Sequence, residues 1–179
     1  MRYYLNIALP PELSDQVAAI ERHWQGSSKS SPHLTIIRPR VARNDFMSTR
    51  FMEELRRIAE QIQPLAIRHG TVKHFNHQQT IYLNVRKTIE LSDCRRRFKK
   101  VFDQFLPDDQ SIYGFRPHIT LANHLTSGTG REAWIELGHL QLSGVFTCNC
   151  VNLLAMEPTD PKWQIVAKIP LGEGTDRVD

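Results

Sequence analysis

The sequence predicts an α+β fold made by internal duplication: two lobes, each with an antiparallel-rich sheet, face a central cleft with helices on the outside. Three observations lead there. The stretch "YLNIALPPELSD" (4–15) returns as "YLNVRKTIELSD" (82–93), so that Tyr4-Leu5-Asn6 matches Tyr82-Leu83-Asn84 and Glu12-Leu13-Ser14-Asp15 matches Glu90-Leu91-Ser92-Asp93, both at an offset of 78 (82 − 4 = 78). The run "SPHLTIIRP" (31–39) is echoed by "FRPHITLAN" (115–123), with a proline directly before each histidine. Between these words, apolar runs of strand length alternate with runs at helical spacing.

The elements follow in order. Residues 3–9 read as a strand, and Leu13, Val17, Ile20 and Trp24 then recur at helical spacing. A Ser/Lys/Gly-rich loop leads to the first His-x-Thr run, expected as a strand. Met52, Leu55, Ile58 and Ile62 mark a second helix, ended by Pro64. "LAIRHGTVKHF" and "TIYLNV" read as strands paired across the polar "NHQQ" turn. Leu91, Cys94, Phe98, Val101, Phe102 and Phe105 mark the helix of the second copy, ahead of a Pro/Asp/Gly loop and the second His-x-Thr strand. "REAWIEL" reads as a short helix, and "GHLQLSGVFTCNCVNLLAME" and "WQIVAKIPL" as closing strands. The chain is expected to form one bilobal domain over 1–179: repeat one at about 3–79, repeat two at about 80–170, and a frayed polar tail at 171–179.

Bulk properties narrow the class. With 179 residues, 40% of them hydrophobic, the chain can bury a real core and is not a disordered one. No apolar run approaches the roughly 18 residues that cross a membrane, and the N-terminus reads as a strand entering a helix and not as a signal peptide. Three cysteines imply no disulfide framework, so a cytoplasmic protein is expected. The net charge of +4 leans toward anionic partners such as RNA or nucleotides; the basic run at 94–100 reads as a solvated helix face.

Strand alternation puts His33 and Thr35 on one face and Leu34 and Ile36 on the other, and does the same for His118 and Thr120 against Ile119 and Leu121. A two-fold axis relating the copies would bring both histidines and both threonines into one cleft. Two imidazoles near their ordinary pKa can hold opposite protonation states, one taking a proton from a nucleophile and one giving a proton to a leaving oxygen. The hydroxyls can hydrogen-bond the oxygens of a phosphate held between them. Such an arrangement needs no metal and no cofactor. A single buried histidine on a strand is more often structural; the matched pair is what favours catalysis.

The motifs His33-Leu34-Thr35-Ile36 and His118-Ile119-Thr120-Leu121 on a repeated chain resemble those of the 2H phosphoesterase superfamily, and most nearly its LigT-like, or 2′-5′ RNA ligase-like, members. The resemblance covers nearly the whole chain. It implies a metal-independent phosphodiesterase that opens 2′,3′-cyclic phosphates on RNA ends or nucleotides, and in some members joins RNA ends through a 2′-5′ linkage. It implies His33 as general acid and His118 as general base, with Thr35 and Thr120 on the phosphate; the residues alone leave the two histidine roles interchangeable. Several members carry an arginine shortly after the second motif, where this chain has His124, while Arg116 precedes the motif. Arg38, Arg116, His124 and Phe75 are the further candidates for substrate contact, Phe75 by stacking on a base.

The competing reading is a non-catalytic RNA- or nucleotide-binding module using the same cleft. Neither reading requires a membrane or an obligate protein partner. An acyl-transfer enzyme is disfavoured because no G-x-S-x-G elbow occurs. His74 and His77 with Cys148 and Cys150 fit no usual zinc spacing, so no metal is expected.

Overall fold

The computed structural model describes residues 1–25, 30–42, 48–75, 77, 79–106 and 114–172. Within them the elements run β1 (Arg2–Ala8), α1 (Pro11–Gln25), β2 (His33–Val41), α2 (Thr49–Glu60), β3 (Leu65–Phe75), β4 (Thr80–Val85), α3 (Ile89–Phe105), β5 (His118–Ala122), α4 (Ser127–Leu137), β6 (Gly144–Cys148), β7 (Cys150–Met156) and β8 (Gln164–Pro170). The helices start where side chains can cap them. Ser48 accepts a bond from Phe51 N, Thr88 from Leu91 N, and Thr126 and Thr129 form a reciprocal capping box. That box starts α4 at Ser127, ahead of the expected "REAWIEL", and 138–143 carry no strand. Of the polar tail, 173–179 lie outside the described residues.

All eight strands belong to one sheet in the order β6-β3-β4-β5-β2-β1-β7-β8, paired antiparallel throughout. The two sheets expected from the sequence are therefore the halves of one continuous sheet. The His-x-Thr strands are neighbours in it and not opposite walls of a cleft. They meet at a single couple, Leu34 with Ile119, and the pseudo-two-fold axis passes there. A strand of each copy crosses over: β3 leaves the first copy to pair with β4, and β7 of the second returns to pair with β1. The helices cross as well, α1 packing on β5 and α3 on β2. Neither copy keeps a sheet of its own.

Leu34 and Ile119 are fully buried, and the core grows on their side of the sheet from Leu5, Ile7, Leu83, Phe98, Phe102 and the helices. Burying one face of an antiparallel sheet leaves the other free for polar side chains, and His33, Thr35, His118 and Thr120 occupy that free face.

Arg40 is the exception within this division. Its guanidinium is buried, donates to Asp103 Oδ1 and to the Leu106 carbonyl at 2.8 Å each, and lies 5.7 Å from the Phe102 ring centre. It ties β2 of the first copy to the end of α3 in the second. Because the Leu106 carbonyl is buried with it, Arg40→Ala is expected to cost about 2 kcal/mol, read as a lower urea midpoint with an unchanged slope.

Candidate active site

Each motif begins X-Pro-His. Proline restricts the residue before it to extended conformations, which fixes where the carbonyl of that residue points. In both copies the carbonyl meets the histidine ring: His33 Nδ1 lies 2.8 Å from the Ser31 oxygen, and His118 Nδ1 lies 2.7 Å from the Arg116 oxygen. A carbonyl only accepts, so each Nδ1 carries the proton and donates it. That leaves Nε2 of each ring as the working nitrogen, a proton acceptor when the ring is neutral and a donor when it is charged.

The β2–β5 junction sets the rest of the geometry. With Leu34 opposite Ile119, antiparallel direction brings His33 beside Thr120 and Thr35 beside His118. Each imidazole thus has the other copy's threonine as its cross-strand neighbour. Both rings are half-buried. Burial lowers the pKa of each below the ordinary 6.5; the charge of His118 adds to this at His33, and the charge of Arg38 adds to it at His118.

Aromatic and amide side chains wall the two rings differently. The Tyr4 ring lies 5.4 Å from His33 and meets Trp163 edge-on at 4.5 Å. Behind them runs a buried ladder in which Asn152 Nδ2 donates to Asn6 Oδ1 and Asn6 Nδ2 donates to the Tyr4 hydroxyl. Asn152 Oδ1 is buried without a hydrogen-bond partner among the described residues. On the other side Phe75 stacks on Tyr82, centres 4.0 Å apart at 20°, and both rings meet His118 edge-on, at 83° and 63° with centres 5.3 and 5.2 Å away. Burial raises the hydroxyl pKa of Tyr4 and of Tyr82, opposed at Tyr82 by the positive charge of Arg116.

The structure therefore gathers His33, Thr35, His118 and Thr120 with Arg38, Arg116 and Phe75. It does not gather His124. That residue follows the far end of β5, beyond Ala122, in a left-handed conformation (φ 56°) and exposed to solvent. Strand geometry carries it well away from His118 at the near end. The sequence reading passed over Tyr4, Asn6, Tyr82, Asn152 and Trp163. The first copy's "YLN" word was the available signal, since it places Tyr4 and Asn6 two apart on the histidine face.

Among the described residues no three His, Cys, Asp or Glu side chains are grouped to hold a metal ion. His74 packs against Trp134, and the buried Cys148 thiol, its pKa pushed up to about 12, contacts the Cys150 carbonyl.

Residues 9–160 match the family model of the 2′-5′ RNA ligase superfamily. The chain belongs to that superfamily. It is 30% identical over 146 residues to a protein of Oceanobacillus iheyensis provisionally named a phosphoesterase, covering 80% of this chain and 81% of that one. Two crystal structures share the fold at 15% identity. TT0787 of Thermus thermophilus has a TM-score of 0.71, covering 96% of this chain and 98% of its own. LigT of E. coli, complexed with 3′-AMP, has a TM-score of 0.67 with coverages of 95% and 97%. No helix among the described residues is long and apolar enough to cross a membrane.

The depressed histidine values fix a sign for stability against pH. Below the ordinary 6.5 the unfolded chain takes up protons that the folded rings refuse, so stability falls as pH drops through 6.5 toward the lower folded values. A thermal melt series from pH 7.5 down to 5 should show this fall, and His33→Gln should make it shallower.

Proposed function

We propose that this protein is a metal-independent cyclic phosphodiesterase that opens 2′,3′-cyclic phosphates on RNA ends or nucleotides. The observation that carries the reading is the matched pair of Nε2 atoms, each freed by an Nδ1–H···O=C bond and each beside the other copy's threonine. Membership in the 2′-5′ RNA ligase superfamily supports a phosphodiester as substrate. LigT, the same fold, has been crystallised with 3′-AMP, ATP and phosphate, which supports a nucleotide ligand.

His118 is the general base. Burial, with the charge of Arg38 adding to it, holds its pKa below the ordinary value, so its neutral ring takes a proton at Nε2 from the attacking water. The water oxygen bonds to phosphorus as the bond from phosphorus to one ribose oxygen breaks. His33 is the general acid: its Nε2–H gives a proton to that departing oxygen, leaving a phosphomonoester and a free hydroxyl. The anionic phosphate itself supplies the negative charge that favours imidazolium at His33 once substrate is bound. Thr35 and Thr120 donate to the non-bridging oxygens, where charge accumulates in the transition state. With a ribose hydroxyl of a second RNA end attacking in place of water, the same groups join RNA ends through a 2′-5′ linkage.

The test is hydrolysis of a nucleoside 2′,3′-cyclic phosphate in the presence of EDTA. Wild type should turn over. His33→Ala and His118→Ala should each lose activity by a factor of about 10³ or more while still melting cooperatively at neutral pH, and Thr35→Val or Thr120→Val by roughly 10–100-fold. Retention of most activity in either histidine variant would refute paired acid–base catalysis. Tight, salt-sensitive RNA binding without turnover, surviving loss of both histidines, would favour the binding-module reading.

A further inference from the structure

We propose that Tyr4, Asn6 and Asn152 are positioning residues for His33: they anchor Ser30 from inside the sheet, and the anchored segment holds the Ser31 carbonyl on the histidine ring. The inference rests on the two-histidine reading and adds three buried residues, with the serine they hold, to its machinery.

His33 opens β2, so the carbonyl that takes its Nδ1 proton belongs to the approach and not to the strand. Proline fixes only part of that approach. It keeps Ser31 extended and holds its own φ at about −65°. The ψ torsion of Pro32 stays soft, and a rotation there swings the Ser31 carbonyl off the ring. Ser31 is exposed, so water competes for both ends of the bond, and one hydrogen bond in water holds little. The segment needs a second point of attachment upstream.

Ser30 supplies it. Its side chain is hydrogen-bonded to the Tyr4 hydroxyl. That hydroxyl accepts from Asn6 Nδ2 at 3.0 Å, and Asn6 Oδ1 accepts from Asn152 Nδ2 at 3.3 Å. The bonds therefore run from β7 through β1 to the residue next to Ser31. Tyr4, Asn6 and Asn152 are 2%, 4% and 3% exposed, so none can touch a ligand, and any effect on the chemistry passes through Ser30. A buried polar network specifies one arrangement where an apolar core tolerates several. This one leaves Asn152 Oδ1 buried without a partner among the described residues, which costs stability. Apolar side chains in place of Asn6 and Asn152 would fill the space without that cost, so the ladder is better explained by the direction it gives than by packing.

The second copy holds the same point by different means. Phe115 stands three residues before His118, as Ser30 does before His33. The Arg95 guanidinium lies over the Phe115 ring, 4.8 Å from its centre. Each approach is thus held at the same place, and His118, which lies outside the ladder, serves as an internal control.

The test is nitrogen-15 NMR of both rings without substrate, in wild type, Tyr4→Phe and Ser30→Ala, beside thermal melts and steady-state hydrolysis of a nucleoside 2′,3′-cyclic phosphate. Tyr4→Phe keeps the ring that packs against His33 and Trp163 and removes only the hydroxyl. Ser30→Ala cuts the same bond from its half-buried end. Wild type should carry the proton of neutral His33 on Nδ1. Both variants should show His33 as a mixture of tautomers with His118 unchanged, and kcat should fall by about five- to tenfold at constant KM. A His33 ring still protonated wholly on Nδ1 in either variant would overturn the proposal. So would equal disturbance of His33 and His118 with a lower melting temperature, the result expected of a bond that is merely structural. Because the tautomer is read without turnover, the anchor can fail while wild type still hydrolyses the cyclic phosphate, and can hold in a protein that does not.

Discussion

The hydrogen bond from each histidine Nδ1 to the carbonyl two residues earlier is the constraint from which the site follows. It needs a carbonyl aimed at the ring, and the intervening proline supplies that aim by keeping Ser31 and Arg116 extended. It fixes one tautomer in both rings, and so decides that Nε2 meets whatever lies on the open face of the sheet. A ring free to exchange tautomers would offer either nitrogen and make a poorer acid or base. The two Pro-His words are thus an orienting device, and the threonines two residues on inherit their direction from the same strands.

The second constraint is topological. Because β3 and β7 cross between the halves and α1 and α3 pack on each other's strands, the two motifs are held together by the whole chain although only one couple, Leu34 with Ile119, joins β2 to β5. The short junction leaves the strands unpaired on either side of it, where the histidines and threonines stand. Arg40 reinforces the junction from below by bonding to the end of α3. The halves are related by symmetry without being identical. A buried Asn152–Asn6–Tyr4 ladder backs His33, whereas stacked Phe75 and Tyr82 with a nearby arginine surround His118. In the proposed mechanism that asymmetry is what would separate the roles of two similar imidazoles.

Much of this was legible in the sequence, and the parts that were not share a cause. The duplication shows as repeated words, and the helix-forming stripes and the two His-x-Thr strands are local patterns of period 3.6 or 2, which the chain formed where those periods pointed. Register between distant strands has no local signature. The repeated "YLN" words align at an offset of 78, yet the residues that occupy the same place in the sheet are Ile7 and Leu83, opposite Leu34 and Ile119, an offset of 76 (83 − 7 = 76). The shift of two preserves the face and moves each tyrosine along it, so Tyr82 faces Thr120 in register where Asn6 faces Thr35. Asn152 on β7 and Trp163 just before β8 entered the picture only through the place of β7 beside β1, which depends on the crossover. His124 stands apart from the motif for the opposite reason: nearness in sequence suggested nearness in space, and β5 runs from His118 out to Ala122 before the chain reaches it.

The central claim is that two imidazoles of fixed tautomer present their Nε2 atoms to one phosphate. Nitrogen-15 NMR of the histidine rings, titrated with and without a nucleoside 2′-monophosphate, tests it most directly. The account predicts that neutral His33 and His118 both carry the proton on Nδ1, that both titrate below 6.5 in the free protein, and that the ligand shifts both Nε2 resonances and raises the pKa of at least His33. A neutral ring protonated on Nε2, or a ligand response confined to one of the two histidines, would contradict it.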